Sequence, residues 1–122
     1  MSQLQQFFEF LMSKVKEKED LQNQVIAWVG RYDGKILQVV TPDHGAQYII
    51  MHKKAPWMSL HEGSYPSPDV TYKAKSEILL GIFTGEVKFK QTMKDGSLEV
   101  IGNAHESDPL ANLILQAMMG AI

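Results

Sequence analysis

The chain has 122 residues, of which 44% are hydrophobic and 21% charged, and this composition predicts one globular domain, 1–122. It contains no cysteine, which excludes a disulfide framework, thiolate catalysis and a zinc site built on cysteine. A formal net charge of −2 argues against a nucleic-acid partner, because nucleic-acid-binding proteins usually carry a basic excess.

The first predicted element is an amphipathic helix over residues 4–19. Its apolar side chains recur with helical spacing at Leu4, Phe7, Phe8, Leu11, Met12 and Val15. Two adjacent phenylalanines on such a stripe usually belong to the core, and the alternative is that they line a ligand cavity. We therefore predict a helix that packs on the rest of the domain.

The next segment is predicted to form an antiparallel β meander. Residues 25–29 are apolar on both alternating sets, which favours a strand covered on both faces. The Asp33-Gly34 pair is typical of a two-residue hairpin turn, and a returning strand is expected over residues 36–41. A second turn at residues 42–45 then leads into a strand over residues 47–52.

Residues 53–68 form a proline-containing connection in which a short strand is predicted at residues 58–60. The alternation that follows, over residues 69–75, predicts a strand with one face in water.

Ser76 is placed to cap a short helix that runs to Phe83, and Gly85 stands where its carboxyl cap belongs. Residues 86–94 fit a strand and a helix about equally well. A last strand is expected over residues 98–101.

The carboxyl-terminal segment is predicted to be an unusually apolar helix. Asp108 fits the N-cap position, Pro109 fits the first helical position, and no charged side chain follows. Its main apolar stripe consists of Leu110, Leu113, Ile114, Ala117 and Met118. Such a helix is buried in the core, covers an apolar cavity as a lid, or packs against another subunit.

The polar residues do not assemble a recognisable catalytic or metal-binding motif. The four histidines lack spacings such as His-Glu-x-x-His, and no Gly-x-Ser-x-Gly sequence accompanies His105-Glu106-Ser107. We therefore predict no catalytic residue, no metal and no cofactor. Lys88, Lys90 and Lys94 form a small basic patch, which fits a solvated face or transient contact with an anionic membrane surface.

Three stretches of the chain resemble the sterol carrier protein type-two family. They are Asp69-Val-Thr-Tyr-Lys, the run from Ser76-Glu-Ile-Leu-Leu to Gly85, and Met93-Lys-Asp-Gly-Ser-Leu-Glu-Val-Ile-Gly102. In that family an acidic-aliphatic strand precedes a short helix that ends in glycine, and a Gly-x-Leu-x-Ile/Val-x-Gly strand leads to a final helix. The chain departs from the family in having Glu86 and not an Asn-Pro-x-x-Ala stretch after Gly85.

The resemblance implies an α+β fold with a mixed, mostly antiparallel five-stranded sheet backed by helices. It also implies an apolar tunnel between sheet and helices that holds a fatty acid, acyl-CoA or sterol-like molecule, and it makes residues 86–94 helical. The expected lining, from the resemblance and the terminal stripe together, is Phe83, Phe89, Met93, Leu110, Leu113, Ile114 and Met118.

These observations predict a cytoplasmic, non-enzymatic carrier of an apolar, lipid-like ligand. The alternative is a protein-interaction module, dimeric or part of a complex that synthesises a hydrophobic compound. A third hypothesis is a small enzyme that uses His52 or His61 beside an apolar pocket. Because no convergent polar set stands near the apolar helices, we expect little head-group selectivity.

Overall fold

The computed structural model describes residues 3–43, 45–102, 110 and 112–116. It begins with two consecutive helices, α1 (Gln3–Glu17) and α2 (Glu19–Val29). The first confirms the predicted amphipathic helix, although it ends at Glu17 and not at residue 19, and it buries Leu4, Phe7, Phe8, Leu11 and Val15. None of the described helices combines the length and the apolar character needed to cross a membrane.

The predicted strand over residues 25–29 is wrong, because α2 contains all of these residues. The residues that α2 buries are Leu21, Val25, Trp28 and Val29, which recur with a helical period. A short apolar run at the end of a buried helix has the same appearance as a buried strand. The predicted hairpin at Asp33-Gly34 is wrong for the same reason, since this segment joins α2 to the first strand of the sheet.

Five strands form one mixed sheet in the order β3-β2-β1-β4-β5. They are β1 (Gly34–Thr41), β2 (Gly45–His52), β3 (Met58–Glu62), β4 (Val70–Lys73) and β5 (Glu99–Gly102). The pair β1–β4 is parallel, and the other three neighbouring pairs are antiparallel. The predicted α+β class and the five-stranded, mostly antiparallel sheet are therefore confirmed.

The parallel pair begins at a double contact between Asp69 and Ile36. The Ile36 N–H donates to Asp69 Oδ2 at 2.8 Å, and the Asp69 N–H donates to the Ile36 carbonyl oxygen at 2.9 Å. The prediction of a wet face on β4 holds at Lys73 but is wrong at Thr71, which is 4% exposed. Thr71 lies on a strand between β1 and β5, and its Oγ1 accepts a hydrogen bond from Gln38 Nε2 at 3.5 Å.

Two short helices connect β4 to β5. The helix α3 (Ser76–Thr84) ends at Gly85 in the left-handed conformation, as predicted. The helix α4 (Phe89–Asp95) confirms the helix that the resemblance implied, although residues 86–88 are not helical. A Cβ at Gly81 would lie 2.6 Å from Val87 Cγ2, so glycine permits this loop to cross close over α3.

The core lies between the helices and one face of the sheet, which we call the inner face. It carries the buried side chains Leu37, Val39, Ile49, Met51 and Tyr72. The opposite, outer face carries Gln38, Tyr48, Ser59, His61 and Thr71, because side chains alternate along a strand.

Residues 112–116 are helical, and Leu110, Leu113 and Ile114 belong to the core. Gln24 Nε2 on α2 donates to Gln116 Oε1 at 2.8 Å, which joins this segment to α2. The predicted caps Asp108 and Pro109, together with Ala117 and Met118, lie outside the described residues.

Candidate ligand-binding cleft

A cleft of about 820 Å³ opens where the carboxyl ends of the parallel strands β1 and β4 meet. Ligand sites in proteins typically occupy about 300–1,000 Å³, so the cleft has the size of a small-molecule site. Its floor consists of Val40, Thr41, Ala74 and Ile78. Its rim carries the charged side chains Lys73, Lys75, Glu77, Asp95 and Glu99, and the turn residues Pro42, Gly96 and Ser97 complete the wall.

The floor is apolar and partly open to solvent. Ala74 is 7% exposed, while Val40 and Ile78 are half-buried. The five charged rim residues are all exposed, so their head groups remain hydrated. The cleft can therefore hold an apolar body while charged groups stay in water at its edge.

Hydrogen bonds at the strand ends fix the shape of the cleft. The Ala74 N–H donates to the Val40 carbonyl oxygen at 3.2 Å, which holds the two strand ends together. Ser76 Oγ donates to Asp43 Oδ2 at 2.6 Å, and this bond joins the start of α3 to the turn between β1 and β2. Ser76 was predicted as the helix cap, but its side chain makes this longer connection.

The turn after α4 forms the opposite wall. Asp95 Oδ1 accepts hydrogen bonds from Ser97 Oγ at 2.6 Å and from the Ser97 N–H at 2.9 Å. The hydrogen bond from the Ser97 side chain, followed by that from its backbone, lowers the pKa of Asp95 below the usual value for aspartate. The carboxylate thus stays charged to a lower pH than an ordinary aspartate.

The residues that were predicted to line the ligand site do not form the wall of this cleft. Phe83, Leu110, Leu113 and Ile114 are in the core, with at most 3% of their surface exposed. Phe89 is half-buried with its ring centroid 5.8 Å from that of Tyr72, and Tyr72 lies 6.2 Å from Phe83. Met93 is 41% exposed, and Met118 lies outside the described residues.

The structure thus brings Phe83 and Phe89 together around Tyr72 but places neither in the cleft wall. Their role as ligand lining stays a prediction, as does a closed tunnel between sheet and helices. The cleft floor was missed because Val40, Ala74 and Ile78 come from the ends of two strands and from α3, and only the fold brings them together. The available signal was the pair of turns, Pro42-Asp43 and Asp95-Gly96, because loops often carry the residues that bind ligands.

The histidines of the enzyme hypothesis lie on the outer face, outside the cleft wall. The Nε2 atoms of His52 and His61 approach Ser59 Oγ at 3.4 and 3.0 Å. The His61 ring stacks on Tyr48 with centroids 5.0 Å apart, and Tyr65 lies 5.3 Å from Tyr48. Within the described ranges, no three histidine, cysteine or acidic residues cluster as metal ligands would.

Comparisons with known proteins identify the fold. No family model and no curated protein matches the sequence. Among solved structures, a ubiquinone synthesis protein, UbiJ-SCP2, matches with a TM-score of 0.69 and 16% identity, covering 91% of this chain and 87% of that one.

Two sterol carrier domains from insects are similar as well. Sterol carrier protein domain 2 of Helicoverpa armigera matches with a TM-score of 0.61 and 18% identity, covering 94% of this chain and 87% of that one. Palmitated SCP2L2 from Aedes aegypti matches with a TM-score of 0.52 and 23% identity, covering 87% and 92%. The chain therefore has the sterol carrier protein type-two fold.

Proposed function

We propose that this domain is a non-enzymatic carrier, working in the cytoplasm, that binds an apolar, lipid-like molecule in the cleft. The observation that carries this proposal is the cleft itself, whose floor of Val40, Ala74 and Ile78 is apolar while its rim is charged. Similarity to sterol carrier domains, one of them palmitated, supports the same ligand class.

The mechanism is partition of the ligand between water and the cleft. Moving apolar surface out of water contributes roughly 25 cal/mol per Å², so a fatty acid, acyl-CoA or sterol-like body gains most of its affinity from the floor. The hydrated lysines and carboxylates at the rim allow a polar head group to remain in solvent. Binding and release then require no covalent step.

Exchange with a membrane fits the position of the basic patch Lys88, Lys90 and Lys94. All three side chains are exposed, and α4 leads directly into the Asp95-Gly96 turn that lines the cleft. A transient contact with an anionic lipid surface would bring the opening close to the lipid from which a ligand partitions.

The second candidate is an accessory module in the synthesis of a hydrophobic compound, acting as a homodimer or within a complex. Similarity to a ubiquinone synthesis protein over 91% of the chain favours it. Native mass spectrometry of protein purified from cells separates the two candidates. A co-purified lipid supports the carrier, and an empty dimer supports the interaction module.

The cleft is tested by filling it. We expect delipidated protein to bind a fluorescent fatty acid saturably, and Ile78→Trp to weaken that binding about tenfold, since the indole occupies space on the floor. The matched control is Ile101→Trp, which places the same side chain at an outer-face position that is 49% exposed. Equal binding by both variants and the parent protein would show that the ligand does not bind in the cleft.

A further inference from the structure

Gln47 is a polar side chain placed where the strand pattern calls for an apolar one. It lies in β2 on the inner face, two positions from Ile49 and directly opposite Val39 on β1. Ile49 and Val39 are each 1% exposed, and Gln47 is 7% exposed. The side chain is therefore enclosed by the sheet side of the core.

The carbonyl oxygen of this side chain is buried without a hydrogen-bond partner among the described residues. Such an atom is unfavourable, because its hydrogen bonds to water are lost on folding and not replaced. Most buried polar atoms in proteins are paired, and an exception needs a physical explanation. A ligand group that donates a hydrogen bond to this oxygen is one such explanation.

Gln47 is also close to the cleft. Thr41 pairs with Gly45 in the hairpin register, so Gln47 is the diagonal neighbour of Thr41 on the inner face. Thr41 itself forms part of the cleft floor. A ligand that reached past Thr41 into the layer between sheet and helices would come to the amide of Gln47.

We propose that Gln47 Oε1 accepts a hydrogen bond from a hydroxyl group on the buried end of the ligand. This inference rests on the proposed function and narrows its substrate class to apolar alcohols, long-chain or polycyclic. An ether, an ester or a hydrocarbon has no proton to donate, and an ionised carboxylate has neither the proton nor the neutral charge that burial favours. The expectation of little head-group selectivity stays a prediction, and this inference makes the opposite prediction, a preference for a hydroxyl donor.

The experiment compares an alcohol with its methyl ether, in which a methyl group replaces the hydroxyl proton. Protein that has been delipidated and then loaded with a fluorescent fatty acid is titrated with 1-dodecanol and with dodecyl methyl ether. We expect the alcohol to displace the probe about tenfold better than the ether. In Gln47→Met, which keeps the length of the side chain and removes the acceptor, the two ligands should become equal, and the melting temperature should rise.

The control is Thr71→Val, which removes a buried hydroxyl from the outer face, where Gln38 Nε2 lies 3.5 Å from it. It should lose stability and keep the preference for the alcohol. Equal displacement by both ligands in the parent protein overturns the role of Gln47, as does a preference that survives in Gln47→Met. Failure of the parent protein to bind the fluorescent fatty acid overturns the proposed function and this inference with it.

Discussion

Two apolar regions of this domain differ in how completely they are filled. The ring of Phe83 lies 5.4 Å from that of Phe7 and 5.8 Å from that of Phe8, and Phe83 is 1% exposed. Ile78 stands one and a half helical turns earlier on α3, yet it is half-buried and faces the cleft. The same helix thus contributes to a closed core at one end and to an open cavity at the other.

The difference shows that apolar density in a sequence marks the core more readily than a binding site. Large apolar side chains that can reach each other fill the space between them, because packed interiors gain both dispersion contacts and burial. A cavity remains where small or short side chains, such as Ala74 and Val40, meet at strand ends and turns.

The contrast between a filled core and an open cleft requires that Phe83 does not line a cavity. We expect Phe83→Ala to lower the free energy of unfolding by about 3–5 kcal/mol in urea titrations, because it removes a ring from a filled core. Met93→Ala is the control and should change stability by less than about 0.5 kcal/mol, since Met93 is 41% exposed. A stable Phe83→Ala that has lost ligand binding would place the site at Phe83, as the sequence predicted.

Charge reversal in the basic patch beside the cleft should change the rate of ligand exchange with membranes and leave folding unchanged. Lys90→Glu with Lys94→Glu should slow ligand transfer to anionic vesicles at least about tenfold at low salt, because each lysine contributes about 1 kcal/mol of attraction. The melting temperature should not change. Lys16→Glu with Lys54→Glu makes the same change in net charge elsewhere and should transfer normally. Equal slowing by both pairs would show a general charge effect.

The smallest expected effect concerns the Asp95 turn. Because hydrogen bonds from Ser97 lower the pKa of Asp95, the folded state favours the ionised carboxylate. This contribution to stability is present above the usual pKa of aspartate and disappears as pH falls through the lower pKa of the folded state.

Asp95→Asn should therefore melt slightly below the parent protein at pH 7, and the difference should narrow below about pH 4. Ser97→Ala should reproduce this loss, and the double variant should add little to it. A difference between Asp95→Asn and the parent that is the same at every pH would assign the effect to something other than the carboxylate charge.

Local periodicity predicted most of the elements correctly. The stripe from Leu4 to Val15, the strands over residues 36–41 and 47–52, and the glycine end of α3 all follow from the properties of neighbouring residues. The strand predicted over residues 25–29 was wrong, because a run of five apolar residues looks the same in the last turns of a buried helix and in a strand.

The cleft and Gln47 could not be predicted locally. Val40 and Ala74 meet only because β1 and β4 pair in parallel, and the two strands are separated by a hairpin and a long loop. Gln47 looks like an ordinary polar residue of an alternating strand until its neighbours are known. Its burial without a partner is a property of the folded chain.

Nuclear magnetic resonance tests most directly whether an apolar ligand occupies the cleft. The sample is ¹⁵N-labelled, delipidated protein, and the ligand is a spin-labelled fatty acid. The spin label broadens the amide signals of residues close to the ligand. We expect the amide signals of Ala74, Ile78 and Gly96 to broaden first, while those of Tyr48 and His61 on the outer face stay sharp. Broadening centred on Tyr48 and His61, or no broadening at a saturating concentration of the fatty acid, would show that the ligand does not bind in the cleft.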